Sequence, residues 1–65
     1  MQYYYENQRV EDHGSFYAKN DEEAMTKKAE FDKPGNKVIC LYKVLGIGRQ
    51  EDFITIFEDR SLKVY

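Results

Sequence analysis

Residues 20–35, NDEEAMTKKAEFDKPG, hold a start signal, a helical body and a stop signal in that order. Asn20 is a residue type that caps helix N-termini, and Glu23 stands three positions later, as in a capping box. Asp21, Glu22 and Glu23 put negative charge on the first turn, where the helix dipole favours it. Pro34-Gly35 closes the run and suits the centre of a type II turn. The spacing therefore predicts a helix from Asp21 to about Asp32. Ala24, Met25, Ala29 and Phe31 fall in one broad sector of it, the side expected to pack. Lys28 lies in the same sector, with a stem able to follow apolar surface while its ammonium reaches water. Thr26, Lys27, Glu30 and Glu23 form the wet side, and Glu23 to Lys27 is a favourable i,i+4 pair.

Outward from this stretch, the chain reads as strand and turn. Gln2 to Val10 is rich in tyrosine and lacks Gly and Pro, which predicts a strand. Asp12-His13-Gly14 reads as a turn in which Gly14 supplies a positive φ, and Ser15 to Ala18 as a short return strand. On the other side, Lys37 to Leu45 is the strongest strand. Val38, Cys40, Tyr42 and Val44 share one face of it, and Ile39, Leu41, Lys43 and Leu45 the other. Both faces are mostly apolar, as in a central strand. Gly46-Ile47-Gly48 ends it, 49–52 reads as a polar loop, and Phe53 to Phe57 as a further strand. Phe53, Thr55 and Phe57 are expected opposite Ile54 and Ile56. After a turn at Asp59-Arg60-Ser61, Leu62 to Tyr65 is expected to add a short edge strand.

The order is ββαββ with a fifth edge strand. One helix on one face of a small antiparallel sheet is the simplest layered solution, so the fold class is α+β. A lone helix covers one sheet face only, and the other must be wet or covered by another molecule. Tyr3, Tyr4 and Tyr5 are consecutive, and neighbours on a strand point to opposite faces. Either Tyr4 or the Tyr3/Tyr5 pair must then lie on the helix-free side.

Sixty-five residues are expected to form one domain, 1–65, too small for a substrate cleft with a separate cofactor lobe. Hydrophobic residues make up 42% and charged residues 34%, enough of each for a folded, soluble chain. No apolar run approaches the roughly 20 residues of a membrane helix, and the start does not read as a signal peptide. Cys40 is the only cysteine, so an internal disulfide is impossible, and a small domain without staples points to the cytoplasm. The formal charge of -2 lacks the basic bias of a dedicated nucleic-acid binder.

No catalytic set assembles from these residues. His13 lies beside Glu11 and Asp12 and reads as a solvated turn histidine, with no second histidine to complete a common zinc site. Cys40 sits inside an apolar strand, where a thiol behaves as a small hydrophobe. Gly46-Ile47-Gly48 lacks the third glycine and the following helix of a nucleotide loop. The carboxylate pairs Glu11/Asp12, Glu51/Asp52 and Glu58/Asp59 have no calcium-loop spacing and read as solvated strand ends. No cofactor and no metal are expected.

Residues 16–24, FYAKNDEEA, continuing to Ala29-Glu30-Phe31, resemble the strand-to-helix junction of small phage-encoded host-interaction proteins, among them the coliphage inhibitor of host RNA polymerase. That resemblance covers about a quarter of the chain. It implies a non-enzymatic protein that docks on a host enzyme and blocks it. In that inhibitor, basic residues matter on the strand after the helix; here only Lys43 interrupts the equivalent strand, and no binding residue carries over.

The residues alone favour the same class. Tyrosine gives a stiff, half-polar contact surface, common in recognition patches. The expected partner-binding set is Tyr3, Tyr4, Tyr5, Arg9, Tyr17 and Lys43, presented to a protein partner, or to a second copy through an open strand edge. The alternative is a single-stranded nucleic-acid module that stacks bases on tyrosines, helped by Arg9 or Lys43.

Overall fold

Asn20 begins the helix as its sequence requires. Its backbone is extended, and its side-chain oxygen accepts the Glu23 N–H at 2.8 Å. The Glu23 carboxylate lies 3.7 Å from the Lys27 ammonium. The chain is described over residues 1–47 and 50–63 by a computed structural model. Its elements are β1 (Gln2–Asn7), β2 (His13–Tyr17), α1 (Asp21–Phe31), β3 (Val38–Ile47) and β4 (Gln50–Glu58). The four strands form one antiparallel sheet in the order β2-β1-β3-β4, so two hairpins meet along their first strands. The fold is α+β, in the expected ββαββ order.

The crossover from β2 to β3 carries α1 over the two central strands, β1 and β3, and this decides which tyrosines are covered. Tyr3 lies beneath the helix start, fully buried, with its hydroxyl donating to Asp21 Oδ1 at 2.7 Å. Tyr5 lies under the helix end, its ring stacked on Phe31 at 4.3 Å between centroids. Beyond it, Asn7 Nδ2 donates to the Phe31 carbonyl at 3.1 Å, satisfying an acceptor that the helix leaves open at its C-terminus. The core is Tyr3, Ala18, Ala24 and Leu41, with Tyr5, Phe16, Ile56 and Phe57 packed around it. Burying a side chain the size of Tyr3 or Leu41 contributes about 1.5–3 kcal/mol.

The packed stripe of α1 is narrower than its sequence suggests. Ala24 is the buried residue of the helix, and Phe31 and Lys28 are half-buried. Met25 and Ala29, expected on that side, are exposed. Lys28 behaves as its position predicts: its ammonium lies 4.2 Å from the centre of the Phe57 ring and 3.1 Å from the Asp32 carboxylate. At the far end, Pro34-Gly35 makes the expected turn. Gly35 has φ +75°, and Lys33 and Asn36 exchange backbone hydrogen bonds of 2.9 and 3.3 Å.

Several boundaries differ from the sequence reading, each for a local reason. β1 stops at Asn7, not Val10, because Asn7 and Gln8 turn inward and are buried. Gln8 exchanges hydrogen bonds with the Lys37 backbone, and Arg9 N–H donates to Asn36 Oδ1 at 3.0 Å. The turn is then Arg9–Asp12, closed by a 2.9 Å bond from Asp12 N–H to the Arg9 carbonyl, while His13 and Gly14 belong to β2. Gly14 does not use a positive φ. It makes room instead: a Cβ there would sit 3.1 Å from the Tyr5 hydroxyl. The polar loop expected at 49–52 is mostly strand, since β4 begins at Gln50. Among the described residues, Leu62 and Lys63 form no strand; Val64 and Tyr65, the rest of the expected fifth strand, lie outside them.

Two bulges break the simple alternation. Ile39 is the extra residue between the Glu6–Cys40 and Asn7–Val38 pairs, which turns Val38 to the helix side, where it is buried. Ile56 is the extra residue between the Tyr42–Thr55 and Leu41–Phe57 pairs. It sends Phe57 to the helix side and leaves Phe53 and Thr55 on the other.

Candidate functional site

The helix-free face can be read directly from strand register. One row across the sheet is Tyr17–Gln2–Val44–Phe53. The next is Ser15–Tyr4–Tyr42–Thr55, and the third is His13–Glu6–Cys40–Glu58. Residues paired directly across an antiparallel sheet share a face, so these side chains project together.

Aromatic rings cluster in the middle of it. Tyr4 and Tyr42 lie nearly parallel, 22° apart with centroids at 6.3 Å. Phe53 stands edge-on to both, at 6.4 Å from Tyr4 and 6.2 Å from Tyr42. The His13 ring is 6.0 Å from Tyr4 on the other side. Tyr4 and Tyr42 are half-buried by one another, whereas Phe53 is 54% exposed and Tyr17 70% exposed. Two open hollows adjoin the cluster. Tyr4, Glu6, Tyr42 and Phe53 line one of about 320 Å³. The other, about 370 Å³, shares Tyr4 and Glu6 and is closed by Val10, His13 and Ile39.

Glu6 and Glu58 bring carboxylates to this face, and Glu58 is paired with the exposed Arg60 at 2.8 Å. Burial and then the Glu6 carboxylate push the Tyr4 phenol up from its ordinary range. The Tyr42 phenol is pushed up to about 12, first by the Cys40 side chain, then by burial, with Glu6 and Glu58 adding to the effect. Both tyrosines therefore stay neutral donors at physiological pH.

The six residues expected to bind a partner divide between the two sides. Tyr4 and Tyr17 lie on the helix-free face. Tyr3 and Tyr5 do not: α1 covers them, and Tyr3 is sealed in the core. Lys43 is also on the helix side, its ammonium 3.3 Å from the Asp21 carboxylate. Arg9 sits in the turn at the end of the sheet. Tyr42 and Phe53 complete the cluster and were missed as site residues. The signal for Tyr42 was its alternation with Cys40 and Val44; Phe53 could not be separated from Phe57 without the bulge.

His13, an exposed strand residue and not a turn residue, and the half-buried Cys40 are separated by Glu6 in the register. They do not form a nucleophile–base pair through direct strand pairing. Among the described residues, no group of three or more His, Cys, Asp and Glu side chains is placed to hold a metal ion. No described helix is long and apolar enough to cross a membrane. No family model, curated protein or solved structure matches the chain.

Proposed function

We propose that this chain is a non-enzymatic interaction module of the cytoplasm that seats a protein partner on its helix-free sheet face. The observation that carries the reading is the Tyr4–Tyr42–Phe53 cluster, held together on the side that the helix leaves open, with Phe53 54% exposed. Aromatic rings at the centre of a patch, rimmed by polar groups, are the usual composition of a binding surface. Here Ser15, Thr55, Gln2 and Glu6 supply the rim. Blocking a host enzyme is the specific form of this reading that the resemblance of residues 16–31 implies, and self-association through the β2 or β4 edge is a second form.

Charge favours a protein over a nucleic acid. Phosphates approaching the cluster would meet Glu6, with Glu58 already paired to Arg60 at 2.8 Å, while of the two cations expected to help, Lys43 is turned to Asp21 on the opposite face and Arg9 sits in the turn at the end of the sheet. The test compares wild type with Phe53→Ser in partner capture from host lysate and in sedimentation. Loss of the complex or dimer with an unchanged melting curve supports the reading; unchanged association refutes it. Salt-sensitive binding of a single-stranded oligonucleotide at low ionic strength would favour base stacking instead.

A further inference from the structure

We propose that the hollow bounded by Tyr4, Tyr42 and Phe53 is a site for a cation, which receives a lysine or arginine side chain of the partner with Glu6 as counter-charge. This inference rests on the docking reading above and names the chemistry of what docks.

Three rings line one open hollow: Tyr4 and Tyr42 are within 22° of parallel, and Phe53 is inclined at 71° and 81° to them. With centroids 6.3 Å apart, Tyr4 and Tyr42 leave no room for an ammonium between them, so the cation would rest over the rings from the solvent side. A cation is attracted to such rings when it comes within about 6 Å of their centroids. The hollow measures about 320 Å³, and Glu6 is the fourth residue of its lining. Its lining contains no lysine or arginine, so the negative charge is not answered from within the lining itself.

The fold already uses this arrangement once internally. On the opposite face, the Lys28 ammonium rests 4.2 Å from the Phe57 ring centre and 3.1 Å from the Asp32 carboxylate. A ring and a carboxylate there hold a primary ammonium at partial burial. The Tyr4–Tyr42–Phe53 hollow offers more rings and a carboxylate, without the ammonium. Glu6 adds to what raises both phenols, after burial for Tyr4 and after Cys40 and burial for Tyr42, and its carboxylate favours an incoming positive charge.

Magnitude decides between a free small molecule and a tethered side chain. Each exposed cation–π contact is worth about 0.5–1 kcal/mol, and the open hollow cannot enclose a ligand. A free ammonium would bind at millimolar concentrations or weaker. The contact becomes useful as one anchor among many in an interface whose other contacts oppose the cost of association. The adjoining hollow lined by Val10 and Ile39 has room for an apolar neighbour of the basic residue.

The test uses blocked tripeptides with arginine, lysine or norleucine between glycines, titrated into the full chain while ring resonances of Tyr4, Tyr42 and Phe53 are followed. The arginine and lysine peptides should shift these resonances and the norleucine peptide should not. Glu6→Gln should weaken the arginine peptide by up to about fivefold, the upper end for an exposed ion pair. Phe53→Leu, at an exposed position that does not endanger folding, should weaken it as well. Equal shifts with norleucine, or undiminished binding to both variants, overturn the cation site and leave an apolar docking face standing. Ring resonances unmoved by all three peptides also overturn it, and partner capture by wild type against Phe53→Ser then judges the docking reading separately.

Discussion

Removing one oxygen atom from the core, by Tyr3→Phe, separates the ring's packing from its hydrogen bond. The ring is fully buried and remains so in the variant. What is lost is the 2.7 Å bond from the Tyr3 hydroxyl to Asp21 Oδ1. A hydrogen bond to a charged acceptor is worth roughly 1.5–3 kcal/mol when shielded. The Asp21 side chain is 50% exposed, so water replaces much of what it loses. We expect a loss of about 1 kcal/mol at pH 7. A domain of this size has roughly 3–10 kcal/mol in total, so the change is measurable. With a urea slope near 1 kcal/mol/M, the midpoint falls by about 1 M.

The pH dependence sharpens the same test. Burial and then Asp21 push the Tyr3 phenol up to about 12, against an ordinary value near 10. The folded state holds this proton more tightly than the unfolded chain does. Its contribution is whole below pH 10 and is lost as pH rises through about 12. Tyr3→Phe should make the alkaline limb shallower, though not flat, because Tyr4 and Tyr42 are raised too. The acid limb changes in the same variant. Asp21 is held below the ordinary carboxylate range, chiefly by the Tyr3 hydroxyl and then by Lys43, with its own desolvation opposing. That stabilisation is present above the ordinary range and disappears as pH falls through the folded value. Urea melts from acid to alkaline pH check both limbs. An unchanged midpoint at pH 7 with unchanged limbs would refute the assignment of Asp21 as the phenol's partner.

Asn20→Ala removes the acceptor of the Glu23 N–H and should cost about 1 kcal/mol, read as a lower urea midpoint with partial loss of helical circular dichroism. Gly35→Ala should cost about 1–2 kcal/mol by the same measurement, from its φ of +75° alone, since no atom lies within 4 Å of the added Cβ. Phe53→Ser should leave the melting temperature nearly unchanged and abolish partner or self association. Tyr4→Ser should weaken both, because its ring also packs on Tyr42.

The parts of the fold that were legible in the sequence are those set by local chemistry. Asn20, the acidic first turn and Pro34-Gly35 bracket the helix without help from the rest of the chain. Period-2 alternation correctly separates Tyr4 from Tyr3 and Tyr5, but it cannot say which side the helix takes. That depends on the side on which the crossover from β2 to β3 passes over the central strands, a non-local fact. The bulges at Ile39 and Ile56 were equally invisible, because neither residue differs in type from an ordinary strand residue. The end of β1 was hidden for a different reason: nothing local marks Asn7, inside the predicted strand Gln2 to Val10, as a residue that turns inward. Here it is buried, and its amide bonds both Phe31 and Asn36 carbonyls, at 3.1 and 3.0 Å. The candidate site was legible as a face, but only Tyr4 and Tyr17 of its members were singled out from the sequence.

A helix-free face with aromatic rings has a bland explanation, that the rings simply stabilise the sheet. Cross-strand aromatic pairs contribute about 0.2–1 kcal/mol, and Tyr4 with Tyr42 fits that role on the two central strands. Phe53 does not fit it as well. It lies on the edge strand β4, opposite Val44, and more than half of it meets water. The helix side of the strand is little better covered at this point, since Ile54 is 47% exposed there, whereas Phe57, opposite Leu41, packs on the core. The extra residue at Ile56 keeps Phe53 on the open side while Phe57 joins the core. The docking reading depends on that division, and Phe53 is therefore the position at which function and stability can be separated by a single substitution.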